Sequence, residues 1–486
     1  MISKLKKYKV SILLIFIAFI ILNYIFQKDG FKSYLSKNLS QKNKWVIQSY
    51  FSPTNNLKKF NNLEKELKSK DIKIKKLQLL IEEKTLSANE DIIFKKNDTI
   101  NIKLFNRDMK LNVFETDQFL YGINQEYHQG KGSAYIEKYN ENFFILSSRG
   151  ILAYVDLKTI NEKNTDNLIF NQIKTNLNFI SVDNFLKDRG ISYKDIHFFK
   201  DKVYISYLNE IKKGCWTISI ARADLNFDFL KFNNFFVNDE CVNEIDNKIV
   251  YKDKTEENLK KNIFNTSQTG GRMFNFDDES FLFSTGEYRY RNLAQDQNSI
   301  FGKIFKVNYN SGKKIDLISL GHRNPQGLFF NKKENYVVSS EHGPKGGDEI
   351  NLNNLSTNLP KNFGWPAVSY GEHYGGKVTK SDRALYELYP LKKPHKKFGF
   401  EEPLHYFVPS VGTSQVVGIE NKKYILASMR ARSIFSFEIN QGKLKNLKKT
   451  EIGERIRDMF YDNNTKILYL FLENSSSIGF INLENI

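Results

Sequence analysis

GHRNPQGLFFNKKENYVVSSEHGPKGGDEINLNNLSTNLPKNFGWP, residues 321–366, packs glycines, prolines, a strand and a cluster of ionisable side chains into one short span. Val337 to Ser340 is a brief apolar run of strand character. Asn324-Pro325 and Gly343-Pro344 flank it as turns, where backbone carbonyls are released from sheet pairing. Carbonyl oxygens of that kind suit a hard cation, and Arg323 is a permanent charge that pairs with carboxylates. On these principles alone the span reads either as loops at the end of a β-domain that bind something anionic, or as plain inter-strand loops.

Outward from this span the pattern is one of short strands. Such runs occur at Asn142–Ser147, Ile151–Leu157, Val203–Leu208, Cys215–Leu225, Ser280–Ser284, Ile304–Tyr309 and Tyr336–Ser340. They continue at Tyr424–Met429, Ser433–Ile439, Ile467–Leu472 and Ser477–Leu483. Most are bounded by Asn, Gly, Asp or Ser, and long helical periodicity is missing. A sandwich, a barrel or a propeller would all give this spacing. With 40 Phe and 25 Tyr among 486 residues, the chain has the aromatic content for a substantial β-rich core.

Three motifs, GHRNPQG, EHGPKGGDEIN and NFGWP, taken in this order, resemble the soluble glucose/sorbosone dehydrogenase family, with the aldose sugar dehydrogenases as the nearer branch. The resemblance covers residues 131–486 and is strongest from Gly270 onward. It implies an all-β, six-bladed β-propeller that uses pyrroloquinoline quinone (PQQ) and calcium (Ca2+) to oxidise a sugar. By motif position, Arg323 and Asn324 are expected at the quinone and carboxylate end of the cofactor. Arg455 and Arg457, in GERIRD, match the family's paired cofactor-binding arginines, and their alternate spacing on a strand points both to one face. Arg430 falls where the family has a lysine. Gly343 and Pro344 match the carbonyl ligands of calcium. Asp348 matches a residue that holds further calcium in relatives, or else it caps the N–H groups of a turn.

The sequence departs from the family at the chemistry. The family's proton-accepting histidine, four residues before the arginine of a Gly-Gly-Arg motif, is Gln268 here, ahead of Gly270-Gly271-Arg272. An amide does not take a proton near neutral pH. Glu287, in STGE, matches an acidic neighbour of that histidine and is the remaining candidate base. The family's QNG or QGG motif has no counterpart; Asp188-Arg189-Gly190 stands there. His322 and His342 lie beside matched residues without replacing the lost one. Two functional readings follow: a PQQ-dependent aldose dehydrogenase, and a catalytically silent propeller that binds a quinone, a sugar or a protein. Loop 371–403, which would line a sugar pocket, matches nothing in the family.

The N-terminal part is organised differently. Lys4, Lys6, Lys7 and Lys9 precede an apolar run, Val10–Phe26, with no small-residue cleavage site after it. Residues 1–27 therefore read as an uncleaved signal anchor or transmembrane helix. That reading places a single-pass protein in the inner membrane with the propeller facing the periplasm and a respiratory electron acceptor as partner. Residues 28–57 read as a polar linker. Residues 58–90 read as a helical, coiled-coil-like spacer, whose seam Leu63, Leu67, Lys70, Ile74, Leu77 and Ile81 offers self-association through residues 62–81. Residues 91–130 read as a short β segment.

The net charge of +18 would attract polyanions. No helix-turn-helix, RNA-binding or zinc-finger pattern accompanies it, however, and Tyr288-Arg289-Tyr290-Arg291 is too short a basic-aromatic run for a nucleic-acid surface. With two cysteines and no CxxC, zinc and thiol redox chemistry are set aside. In an exported protein Cys215 and Cys241 would form a disulfide.

Overall fold

A computed structural model of the chain describes residues 62–70, 73–74, 77, 91–116, 123–125, 128–130, 132–161, 166–188, 190–243, 266–356, 360–378, 380–420 and 422–484. The chain divides into two units, residues 1–81 and 82–486. In the first, residues 62–70, 73, 74 and 77 are helical. This stretch carries Glu64–Lys68 and Glu66–Lys70 pairs one turn apart. Leu63, Leu67, Ile74 and Leu77 of the expected seam are exposed within this chain. The expected anchor (1–27), the linker (28–57) and the remainder of the spacer lie outside the described residues. Among the described residues no helix is long and apolar enough to cross a membrane.

The second unit is a ring of antiparallel sheets. Blade one comprises Ala134–Tyr139, Asn142–Ser147, Leu152–Asp156 and Asn167–Thr175. Blade two comprises Tyr193–Phe199, Lys202–Lys212, Cys215–Asp224 and Asn233–Phe236. Gly270–Asn275, Ser280–Thr285, Lys303–Asn308 and Lys314–Leu320 make blade three. Pro325–Asn331, Tyr336–Glu341, Asp348–Asn354 and His405–Phe407 make blade four. Blade five is Thr413–Gly418, Lys423–Ser428, Ser433–Asn440 and Lys443–Glu451. Blade six is Ile456–Asp462, Ile467–Leu472 and Ser477–Asn482, completed by Arg107–Glu115 from the start of the unit. The first strand of each blade touches the first strand of the next, and Ile456–Asp462 returns to Ala134–Tyr139. This ring of six blades is a β-propeller.

Residues 92–115, part of the expected 91–130 segment, belong to this ring. Ile92–Leu104 pairs with Arg107–Glu115 as a hairpin and, at its other end, with the outer strand of blade one, Ile92 opposite Phe170. The hairpin thus sews blade six to blade one, and it covers a strand edge that would otherwise offer unpaired N–H and C=O groups.

The apolar runs of the sequence are continuous because blades stack face to face and their central strands are buried on both sides. Ile102 and Leu111 of the hairpin, Ile425 and Ile434 of blade five, and Leu468 and Leu470 of blade six share one such core. Val338, Ile350, Leu426 and Phe437 fill the space between blades four and five. Cys215 and Cys241 are bridged. The bridge pins the third strand of blade two to the turn that follows its outer strand.

At the centre of the ring the packing is ionic. Arg272, on the inner strand of blade three, donates to Asp195 at 2.9 Å, to Asp458 at 2.7 Å and to the Gln326 carbonyl at 3.1 Å. Its guanidinium covers the Tyr135 ring, 5.5 Å from the centroid. Asp195 also accepts from the Met273 N–H at 2.6 Å, and Asp458 from the Ile136 N–H at 2.8 Å. Five of the six inner strands meet in this one network. Burial pushes the carboxyls of Asp195 and Asp458 above their ordinary range, while Arg272 pulls them back. Asp195 and Asp458 in turn overcome burial and hold Arg272 firmly charged.

Candidate functional site

The site gathers where blade three meets blade four. Gly270 has φ +64°, and a Cβ there would stand 2.8 Å from the backbone of Gly286 and Thr285, so only glycine admits the close pairing of these strands. That pairing fixes Gln268 beside Glu287: the Gln268 carbonyl accepts from the Tyr288 N–H at 3.2 Å, and the Glu287 N–H donates to the Arg323 carbonyl at 3.0 Å. The Gln268 amide lies between Glu287 and Arg323. Its orientation is assigned from these neighbours: with the nitrogen turned to the acceptor and the oxygen to the donor, it donates to Glu287 Oε1 and accepts from Arg323 Nη2 at 2.8 Å. Glu287 is wholly buried, and its second oxygen, Oε2, has no hydrogen-bond partner. Burial raises the Glu287 carboxyl against the opposing pull of Arg291, Arg323 and Arg289.

Arg323 is 7% exposed. Its backbone N–H donates to Glu341 Oε2 at 2.7 Å and its Nη1 to the His342 carbonyl at 2.9 Å. The guanidinium lies over Trp365, 5.5 Å from the ring centroid, so that NFGWP forms one wall of the site. Among the described residues no carboxylate lies within ion-pairing distance of the Arg323 guanidinium. Asn324 ties the neighbourhood together. Its Oδ1 accepts from the Gly270 N–H at 3.1 Å, and its Nδ2 donates to the Ser267 carbonyl at 3.0 Å.

Neither nearby histidine is free to serve as a base. His342 Nε2 donates to the Thr413 carbonyl at 2.7 Å while its Nδ1 accepts from Asn324 Nδ2 at 3.2 Å, which is the pattern of a neutral ring. Burial holds His342 below its ordinary value, and Arg323 and Arg457 add to that against Asp348. His322 is fully buried between Ser319 Oγ at 2.8 Å and Glu341 Oε1 at 2.9 Å. Burial would raise the Glu341 carboxyl, but His322 and the Arg323 N–H bring it below its ordinary value.

Arg455 and Arg457 do share one face, and both grip Glu473: Arg455 Nε donates to Oε2 at 2.8 Å and Arg457 Nε to Oε1 at 2.9 Å. Burial works to raise Glu473, yet Arg457 and Arg455 hold it at about 2. One carboxylate against two guanidinium groups leaves a net positive charge. Arg457 and Arg323 both act electrostatically on His342. Arg430 stands apart. It is exposed, on the blade five rim, where it lines a surface groove with Tyr406, Val408 and Lys449. Its neighbour Met429 receives Arg455 Nη2 at 3.6 Å.

Gly343 and Pro344 form the expected turn. Asp348 holds it, accepting from the Gly343 N–H at 3.0 Å and from the Gly412 N–H at 2.6 Å, one bond to each oxygen. Its geometry is that of a turn cap. Among the described residues no group of three His, Cys, Asp or Glu side chains is arranged to hold a metal. The oxygens on offer for a cation here are the Gly343 and Pro344 carbonyls, and Pro344 O accepts from Ser410 Oγ at 3.3 Å.

The motifs did not disclose three features. The Arg272 network joins residues 195, 272 and 458, whose separations carry no pattern. Glu473 carries no motif. Arg289 and Arg291 were visible as a basic-aromatic run, but only the fold turns them onto Glu287.

The six-bladed propeller thus brings a buried arginine, an amide and a carboxylate together where blades three and four meet. The chain belongs to the glucose/sorbosone dehydrogenase family, whose profile matches residues 197–479, more than half of its length. It is similar to the aldose sugar dehydrogenase YliI of Escherichia coli (strain K12), 29% identical over 212 residues that cover 39% of this chain and 53% of that protein. It is also 34% identical over 88 residues to quinoprotein glucose dehydrogenase B of Acinetobacter calcoaceticus, covering 16% of this chain and 17% of that one. The match thus spans about half the length of the first of these relatives. Among solved structures, a glucose dehydrogenase superposes with a TM-score of 0.56 at 19% identity over 72% of this chain and 95% of that one. The PQQ-bound aldose sugar dehydrogenase of Streptomyces coelicolor gives 0.52 at 16% identity over 76% and 98%. These identities establish a shared fold.

Proposed function

We propose that the chain is a PQQ-dependent dehydrogenase that oxidises the C1 hydroxyl of a sugar. One observation carries this reading: Glu287 is a fully buried carboxylate with one oxygen unpartnered and its pKa raised, set beside Arg323 and bridged to it by Gln268. The cofactor's three carboxylates suit the cations present, since Arg323 lacks a carboxylate partner and the Arg455–Glu473–Arg457 cluster carries excess positive charge. Arg323, Asn324, Arg455 and Arg457 would hold it, while Arg430 stands apart from them. When bound, PQQ supplies a two-electron acceptor for the hydride on the sugar C1.

The chain's own residues then have separable tasks. Glu287 Oε2 takes the proton of the sugar hydroxyl; burial makes it a stronger base than an exposed carboxylate. Gln268 cannot take a proton, so it positions Glu287 and Arg323 relative to one another. Trp365, over which the Arg323 guanidinium lies, keeps water from that side. Gly343 and Pro344 would offer their carbonyls to calcium, and Asp348 fixes the turn that presents them.

The test is a titration of purified protein with PQQ, with and without calcium, read as a shift in quinone absorbance and followed by dye reduction with a panel of sugars. Tight cofactor binding and sugar-dependent reduction are expected, with Glu287→Gln abolishing reduction while sparing binding. Cofactor binding without reduction by any sugar would replace the enzyme with a silent binder, and no binding would remove the cofactor reading. We also infer a periplasm-facing propeller held by residues 1–27. The Cys215–Cys241 bridge supports an oxidising compartment, and recovery of the protein in a cytosolic fraction with both thiols reduced would refute it.

A further inference from the structure

We propose that a phosphate group binds in the cleft between the hairpin tip and blade five, held by Arg107, Lys423 and Lys448 over the hydroxyl of Ser436. The cleft is separate from the candidate site, and the inference is independent of the reading of Glu287.

The cleft follows from how the two elements meet. In the third strand of blade five, Phe435 and Phe437 pack between blades four and five, so strand alternation turns Ser436 and Glu438 to the opposite face. Their cross-strand neighbours share that face: Ser436 lies between Ile425 and Lys448, and Glu438 lies opposite Lys423. The same face begins as apolar core, where Ile425 and Ile434 meet Ile102 and Leu104 of the hairpin. Toward the tip it turns polar and opens into a cleft of about 270 Å³. Lys423 opens the second strand of blade five, whose other end, Ser428, pairs with Thr413 beside His342. Along that strand ~17 Å separate Lys423 from the candidate site.

The other wall is the tip itself. Phe105 and Asn106 have φ +48° and +66°, the conformation of a two-residue hairpin turn that ordinarily takes Asn-Gly. A phenylalanine persists there only where contacts impose it. Its ring packs against the core shared by blades five and six, with Lys423 Nζ 5.5 Å from the centroid. Asn106 Oδ1 accepts from Lys448 Nζ, and the Lys103 carbonyl accepts from Thr450 Oγ1 at 2.5 Å. Arg107 comes next in the chain and lines the same cleft. Three cations from three separate strands thus stand around one opening.

Beneath them Ser436 is 1% exposed, and its Oγ has no hydrogen-bond partner. A buried hydroxyl left unpaired costs stability, and this one faces the cleft. One carboxylate shares the space, Glu438, whose Oε2 accepts from Asn446 Nδ2 at 3.1 Å. Among the described residues no carboxylate forms an ion pair with Arg107, Lys423 or Lys448. A phosphate matches this set of donors. Its tetrahedral oxygens can meet a guanidinium fork, two ammonium groups and a hydroxyl at once, through charge-assisted bonds. A carboxylate, planar and singly charged, reaches fewer of them.

The experiment is isothermal titration of the full chain, purified in detergent, with inorganic phosphate, glycerol 3-phosphate and dihexanoyl phosphatidylglycerol at constant ionic strength. At least one should bind saturably, with acetate roughly ten-fold weaker or worse. Tighter binding of the lipid names a headgroup as the source of the phosphate, and the reverse order names a soluble molecule. Arg107→Gln and Lys448→Gln should each weaken binding roughly ten-fold, and Ser436→Ala by less. The ligand that binds should raise the thermal midpoint of the native chain and leave that of the triple variant Arg107→Gln/Lys423→Gln/Lys448→Gln unmoved. Absence of saturable binding by any of the three probes at about 10 mM overturns the proposal, and this result needs no variant. Binding that survives in the triple variant, or that disappears on addition of PQQ, also overturns it by assigning the phosphate to other cations.

Discussion

Replacing Arg272 by methionine should unfold the ring from its centre, and the loss should depend on pH in a way that a cavity would not. The residue is 5% exposed and meets two carboxylates at 2.9 and 2.7 Å. Removing one partner from a buried ion pair costs ~3–5 kcal/mol. Two carboxylates lose their partner here, which argues for the upper end, ~5 kcal/mol. Asp195 and Asp458 each keep a backbone N–H and, already raised by burial, would then rise further. A carboxyl raised in the folded state contributes stability that is lost as pH climbs through the folded pKa. The variant's deficit should therefore be smallest near pH 5 and grow toward pH 8, by at most about 1.4 kcal/mol per pH unit for each proton held. Urea unfolding, followed by fluorescence of Trp216 and Trp365 at several pH values, reads this directly. Adding Asp195→Asn and Asp458→Asn to Arg272→Met should recover most of the loss, because a fully neutral centre leaves no buried charge unpaired. A deficit under about 1 kcal/mol, or one that is flat across this pH range, would refute the account of the centre as a charge-paired lock.

Glu473, held at about 2, carries stability that is fully present above the ordinary carboxylate range and disappears as pH falls through that depressed value. The expected contribution is ~3 kcal/mol, and Glu473→Gln should flatten the acid limb of the pH–stability curve while weakening PQQ binding through displaced Arg455 and Arg457. Gln268→His puts the family's base beside Glu287; because Glu287 already takes the proton in the proposed mechanism, dye reduction with PQQ bound should not rise. A rise of roughly 10²–10⁴ would show that the native site lacks a working base and would refute that role of Glu287, which Glu287→Gln in the native background tests separately. Reducing the Cys215–Cys241 bridge, which closes a separation of 26 residues, should cost ~3 kcal/mol, seen as a lower thermal midpoint in dithiothreitol; an unchanged midpoint would show that the bridge is dispensable.

The amino-acid sequence by itself determined the class of fold and singled out the stretch for which the chemistry is proposed. Runs such as Ile467–Leu472 and Asn142–Ser147 appear as strands with those bounds, because β-branched and aromatic residues between turn formers leave the backbone few alternatives. Arg323, Asn324 and Glu287 were legible because glycine and proline motifs fix their local backbone. The sequence also showed Arg455 and Arg457 on one face, since a strand alternates regardless of what surrounds it. Only the tertiary structure decided what those side chains meet. That Gln268 bridges Glu287 to Arg323, that Glu473 clamps both C-terminal arginines, and that Arg272 finds Asp195 and Asp458 all depend on ring closure. So does the role of residues 92–115, whose hairpin completes blade six and reaches blade one. Charges pair through space over a few ångströms, and a propeller brings to its axis residues that lie hundreds of positions apart in the chain, with no local pattern to announce them.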